Sequence, residues 1–116
     1  MDGTLKIIIV GVLALLAAWY FMRPKDSARA NEARSMVSAG AMLLDVRSPS
    51  EYASGHLDGA VNIPVSDLGG RLAKLGKKDR PIVVYCRSGN RSGQAARILG
   101  AAGFTKVFDL GAMSNW

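Results

Sequence analysis

Pro81-Ile82-Val83-Val84-Tyr85-Cys86-Arg87-Ser88-Gly89-Asn90-Arg91-Ser92 is the stretch from which the fold of this chain is read. Ile82 to Tyr85 are apolar and β-favouring without interruption, the pattern of a strand buried on both faces at the centre of a parallel sheet. The strand runs directly into Cys86, the only cysteine. A short polar turn follows, then helix-forming sequence. Gly89 permits backbone angles closed to other residues, Asn90 tolerates the left-handed region, and Ser92 is suited to cap the helix. Backbone N–H groups of the loop and the positive end of the helix are thus expected to converge on the sulfur. Arg87 and Arg91 add positive charge. Such surroundings favour thiolate over thiol and bind anions. A lone cysteine is more often an inert, buried, apolar side chain, but its neighbours are then not two arginines, two serines, a glycine and an asparagine.

Outward from this stretch, strand and helix signals alternate. Ala28 to Ser38 is expected to be a helix with Ala30, Ala33, Met36 and Val37 on its inner face, stopped by Gly40. Met42 to Val46 is a short apolar strand. Ser48-Pro49-Ser50-Glu51 is a turn, with Ser50 capping a brief helix toward Ala53. Ala60 to Ile63 is a second strand, ended by Pro64. A helix starts at Ser66 and runs to about Leu75, weakened by Gly69-Gly70. Ser92 to Ala102 is a helix with Ala95, Ala96, Ile98 and Leu99 inside and Arg97 outside, closed by Gly103. Lys106 to Asp109 is the last strand, and the tail to Trp116 begins a further helical turn. Alternating strands and helices define an α/β domain with an open, mainly parallel sheet flanked by helices. Ligands of such sheets bind beyond the carboxyl ends of the strands, which is where Cys86 stands.

The N-terminus is of another character. Ile7 to Met22 carries no charge. As a helix this run spans roughly 24 Å, and Lys6 and Arg23 can snorkel to extend it toward a ~30 Å hydrocarbon core. Trp19 and Tyr20 lie where an interfacial aromatic belt would be. We read residues 1–25 as a membrane anchor and linker, with the transmembrane helix over about 5–23, and residues 26–116 as the folded domain. The alternative is a cleaved secretory signal ending near Ala28-Arg29-Ala30, with export of the domain. Against it, Arg23-Pro24-Lys25 directly after the run resists export. A buried core helix is excluded, because the run has no amphipathic face and the domain is too small to enclose it. Arg23, Lys25, Arg29 and Arg34 place the domain on the cytoplasmic side by the positive-inside rule. A single free cysteine suits a reducing compartment.

The formal charge of +6 is modest. Lys74, Lys77, Lys78 and Arg80 form the one dense basic run, read as a solvated loop. Aromatics are not interleaved with the basic residues, so nucleic-acid binding is not expected. No Cys-x-x-Cys or His/Cys cluster exists, so neither a metal nor another cofactor is expected. The cysteine loop also lacks the Gly-Lys-Ser/Thr ending of a nucleotide P-loop.

Two long motifs make the chain resemble a single-domain rhodanese, a thiosulfate or persulfide sulfurtransferase. One is the loop from Cys86 to Ser92. The other is Leu44-Asp45-Val46-Arg47-Ser48-Pro49-Ser50-Glu51-Tyr52-Ala53-Ser54-Gly55-His56-Leu57-Asp58-Gly59-Ala60-Val61-Asn62-Ile63-Pro64, similar to the family's upstream signature. Gly111 and Trp116 fit the family's usual end, although Ala112 stands where a second glycine is common. The resemblance covers roughly residues 28–116 and leaves out the apolar segment.

The resemblance implies covalent, ping-pong catalysis in which Cys86 carries a persulfide. The donor is a small sulfur anion such as thiosulfate, or a persulfide. The acceptor is cyanide in the assay and a thiol or protein thiol in the cell. The loop Arg87, Ser88, Gly89, Asn90, Arg91 and Ser92 would bind the anion. Phosphatases of related fold carry five residues between cysteine and arginine. Here four intervene, Arg87 to Asn90, and the tighter loop suits sulfur. Asp45, Arg47 and Glu51 are expected to brace the site through ion pairs rather than to move protons. His56, the only histidine, is likewise expected to be structural. Two other classes of function remain on the same residues. One is a membrane-tethered docking or regulatory module with little turnover. The other is a peroxide sensor, which would need an intermolecular disulfide because the chain has no resolving cysteine.

Overall fold

The computed structural model describes residues 3–22 and 27–116, and the side chains from residue 28 onward in the second of these segments. The first helix, α1 (Gly3–Met22), is followed by α2 (Ser27–Ser38), β1 (Met42–Asp45), α3 (Pro49–Ala53), β2 (Val61–Asn62), α4 (Val65–Leu68), β3 (Ile82–Cys86), α5 (Asn90–Ala101) and β4 (Val107–Ala112). Single 3-10 turns occupy Leu72–Leu75 and Met113–Asn115. The strands form one parallel sheet in the order β2-β1-β3-β4. This is the expected open parallel α/β sheet, and the sequence reading of β3 holds throughout: all five of its residues are buried.

The pleat of β3 divides the core. Ile82, Val84 and Cys86 point to one face, where Leu44, Leu68, Leu75, Ala95, Leu99 and Phe104 meet them under α4 and α5. Val83 and Tyr85 point to the other, against Leu43, Ala33 of α2 and Leu110. Each fully buried Leu or Ile of these layers contributes about 1.5–3 kcal/mol relative to exposure. The chain leaves β1 toward β2 on one side and returns through β3 on the other. The switch point therefore lies between the carboxyl ends of β1 and β3, beside Asp45 and Cys86.

Several elements differ from their sequence-based bounds. Ser48, not Ser50, caps α3: Pro49 takes the first helical position, and Ser48 and Glu51 close a capping box, each side chain bonding the other's backbone N–H. The helix expected from Ser66 to Leu75 breaks in two at Gly69-Gly70. The strand expected over Ala60 to Ile63 shortens to Val61–Asn62. The final strand is longer than expected, because a bulge carries it past Asp109: Asp109 pairs with Val84 and Gly111 with Tyr85, leaving Leu110 extra. Gly111 supplies the positive φ of +82° that this needs.

The apolar helix is described over Gly3–Met22, starting two residues before the expected span, and at ~30 Å it matches a hydrocarbon core; residue 23, the expected end, lies outside the described residues. It is long and apolar enough to cross a membrane, and none of its side chains is buried. The polar linker, Pro24 as helix terminator and Ser27 as a cap lie outside the described residues and side chains.

Candidate active site

Cys86 is the last residue of β3, fully buried, and its loop turns at once into α5. The turn is made by Gly89, which sits at the helix N-cap with φ +101°, a conformation costly for any residue with a Cβ. This corrects two expectations: Ser92 is not the cap, and Asn90 does not take the left-handed angle but starts the helix. The swing at Gly89 brings its N–H onto Cys86 Sγ at 2.9 Å. Ser92, buried in the first turn, donates its hydroxyl to the Gly89 carbonyl at 3.1 Å and so pins the loop.

Burial pushes the Cys86 thiol up, yet the thiol ends below its ordinary range. The Gly89 N–H on the sulfur, together with the nearby Ser92 hydroxyl and the backbone N–H groups of Ser92 and Ser88, lowers the thiol and outweighs the loss of water. Backbone amides and a hydroxyl lead this lowering, and Arg91 is coupled to Cys86 through its charge.

Arg91, expected to face an anion, has its guanidinium taken up by Glu51. The pair is bidentate, at 2.6 Å and 2.9 Å. It ties the first turn of α5 to α3 across the switch point. Arg91, followed by the Ser48 backbone N–H, holds the Glu51 carboxyl down at about 2. Arg87 is the exposed cation of the loop. It borders an open cleft of about 400 Å3 that is also lined by Arg47, Ser50, Glu51, Ser54, Gly55 and Met113. Every one of these residues follows the carboxyl end of a strand. Cys86 lies beneath the loop, next to Arg87.

Asp45 and Arg47 form a buried pair at 2.7 Å. Arg47 also donates to the Gly55 carbonyl at 2.7 Å, so it clamps the chain after α3. The sequence reading missed the third member, Tyr85. Its hydroxyl donates to Asp45 at 2.8 Å and accepts the Leu57 N–H at 3.1 Å. Burial, more than anything else, pushes the Tyr85 phenol above its ordinary value, so it stays protonated as a donor. Asn62 was missed too; its amide donates to the carbonyls of Asp45 and Arg47. The signal for Tyr85 was its place beside the cysteine, on the opposite face of the strand. His56 stacks on Tyr52 at 3.7 Å and donates Nδ1–H to the Tyr52 carbonyl at 2.8 Å, so its ring is committed to the turn.

A buried cysteine that accepts a loop N–H at the switch point of a parallel α/β sheet defines a class: α/β domains whose central strand ends in a cysteine loop. The chain belongs to one family of that class, since the model of the Rhodanese-like domain matches residues 29–116. It is 42% identical over 77 residues to the uncharacterized protein YqhL of Bacillus subtilis, covering 66% of this chain and 60% of that one. It is 38% identical over 73 residues to the thiosulfate sulfurtransferase PspE of Escherichia coli, covering 62% of this chain and 70% of that one. Among solved structures, a rhodanese with anions from E. coli superposes with a TM-score of 0.64 at 36% identity, covering 66% of this chain and 92% of that one. The family and fold expected from the two motifs are thus those found.

Proposed function

We propose that this chain is a sulfurtransferase with Cys86 as its nucleophile, residues 26–116 forming the catalytic domain and residues 1–25 a retained membrane anchor and linker. The observation that carries the reading is the Gly89 N–H on Cys86 Sγ at 2.9 Å, within a loop that holds the thiol below its ordinary pKa. The Cys86 thiolate attacks the outer sulfur of thiosulfate or of a persulfide donor. A new S–S bond forms on Cys86, the donor's S–S bond breaks, and its electron pair leaves with sulfite or with the donor thiolate. Sulfite leaves as an anion and needs no proton. A nucleophilic acceptor, cyanide or a thiolate, then attacks the outer sulfur and returns Cys86 to thiolate.

The loop amides of Ser88, Gly89 and Ser92 receive the charge in each state, which is electrostatic preorganisation. Arg87, exposed on the cleft, attracts the donor anion. Arg91 acts as a positioning residue through Glu51, as Asp45, Arg47 and Tyr85 do for the neighbouring loop. The basic linker puts the domain in the cytoplasm; the alternative is export after signal cleavage.

The buried position of Cys86 favours one second reading, a membrane-tethered docking or regulatory module with little turnover. Steady-state kinetics with thiosulfate and cyanide separates the two. A sulfurtransferase gives parallel double-reciprocal lines and thiocyanate, both lost in Cys86→Ser at unchanged fold. Absence of thiocyanate with any sulfane donor leaves the docking module.

A further inference from the structure

Helix α2 is the element through which the apolar segment enters the domain, and it runs antiparallel to the strands, since Gly40 turns it directly into the amino end of β1. Its N-terminus therefore lies at the carboxyl end of the sheet. Contacts agree: Arg29 donates to the Asp109 carbonyl at 2.7 Å, and Asp109 is paired with Val84, two residues before Cys86. Twelve residues make α2 about 18 Å long, so it spans the sheet from end to end.

Only residues 23–26 separate Met22, the end of α1, from Ser27. Five peptide steps reach at most about 18 Å. The cleft bordered by Arg87 is on the same end as Ser27. The densest basic cluster is at the other end: Lys77, Lys78 and Arg80 precede β3 and Lys106 precedes β4, the two loops joined by the Thr105 N–H on the Lys78 carbonyl at 3.0 Å. Turning that cluster to the bilayer requires the linker to run back, fully extended, along all of α2, which leaves it no conformational freedom.

From this topology, and resting on the membrane-anchor reading above, we infer that the Arg87-bordered cleft and the Cys86 loop face the bilayer surface, so that the site serves a sulfur donor or acceptor presented at that surface. The partner surface is the lipid headgroup layer, and the amino-end basic cluster faces away from it. Anionic headgroups repel a free divalent anion such as thiosulfate. A thiol or persulfide on a membrane-held carrier meets no such barrier.

The test uses the full chain in vesicles of phosphatidylcholine and phosphatidylglycerol that contain a headgroup-nitroxide lipid. On a Cys86→Ser background, a fluorophore is attached through Ser54→Cys or Ser88→Cys at the carboxyl end, and through Lys77→Cys or Lys106→Cys at the amino end. All four positions are exposed, two labels per end guard against one variant misfolding, and circular dichroism checks each. The expected result is loss of fluorescence at both carboxyl-end labels and none at either amino-end label. Flotation of the same samples separates the two failures. A chain that does not float with the vesicles overturns the anchor reading and the inference with it. A chain that floats with equal or reversed quenching overturns the inference alone.

Discussion

Replacing Gly89 by alanine perturbs the thiolate site at one backbone position. A Cβ at Gly89 would meet Gly111 Cα at 3.8 Å and Ala112 N at 4.0 Å, ordinary contacts that need no repacking. The cost is therefore conformational. Gly89 has φ +101° and ψ −15°, and a left-handed conformation costs a residue with a Cβ about 1–2 kcal/mol. We expect Gly89→Ala to lower unfolding free energy by that amount in urea. The second consequence is chemical. Relief of the strain rotates the Gly89 N–H off Cys86 Sγ, removing one of the donors that offset burial. The Cys86 thiol then titrates at higher pH than in the wild type. Because Cys86 is the only cysteine, the thiolate absorbance reads this group alone. Thiosulfate turnover near neutral pH should fall and recover in part as pH rises. Unchanged stability together with an unchanged thiol titration would refute the assignment of the Gly89 amide as a support of the thiolate.

Three further outcomes follow from the bracing pairs and the anchor. Arg47→Met leaves the fully buried Asp45 without its ion-pair partner and should cost about 3–5 kcal/mol in urea unfolding; a loss below about 1 kcal/mol would mean that the Asp45–Arg47 pair does not brace the fold. Glu51 has a folded pKa of about 2 against an ordinary 4.5. A depressed carboxylate stabilises the fold above its unfolded pKa and loses that contribution as pH falls through the folded one. The stability gap between wild type and Glu51→Gln should thus be constant down to about pH 4.5 and close toward about pH 2; a gap independent of pH would contradict the Arg91 pairing. Deleting residues 1–25 removes no buried side chain of α1 and should leave a soluble, folded, active domain, as judged by circular dichroism and turnover; an unfolded product would place the apolar helix in the core.

What was legible in the sequence was what local pattern controls. The unbroken apolar run of β3 announced a central strand, and its end at Cys86 announced the site. The inner face of α5 was visible as Ala95 and Leu99, both buried. The capping box at Ser48 was also present as Ser-x-x-Glu; reading Ser50 as the cap overlooked that Pro49 fits the first helical position best. The start of α5 was misplaced because Ser92 has cap chemistry, whereas the loop needs a glycine there to turn its N–H toward the sulfur. The end of β4 was missed because the tail from Leu110 was read as the start of a further helical turn, and only pairing of Gly111 with Tyr85 makes Leu110 a bulge. Partners were the hardest to foresee. Glu51 and Arg91 are 40 residues apart, and no spacing rule links them; Glu51 was expected to brace the site through an ion pair, but Arg91 was read as an anion-binding arginine and not as its partner.

Intact-mass measurement of the full chain after brief exposure to thiosulfate is the most direct experiment. A gain of one sulfur atom on Cys86, discharged by cyanide and missing from Cys86→Ser, is the predicted result. A folded wild-type chain that gains no sulfur from thiosulfate or any persulfide, or a Cys86→Ser chain that still gains it, would contradict a persulfide carried on this thiolate.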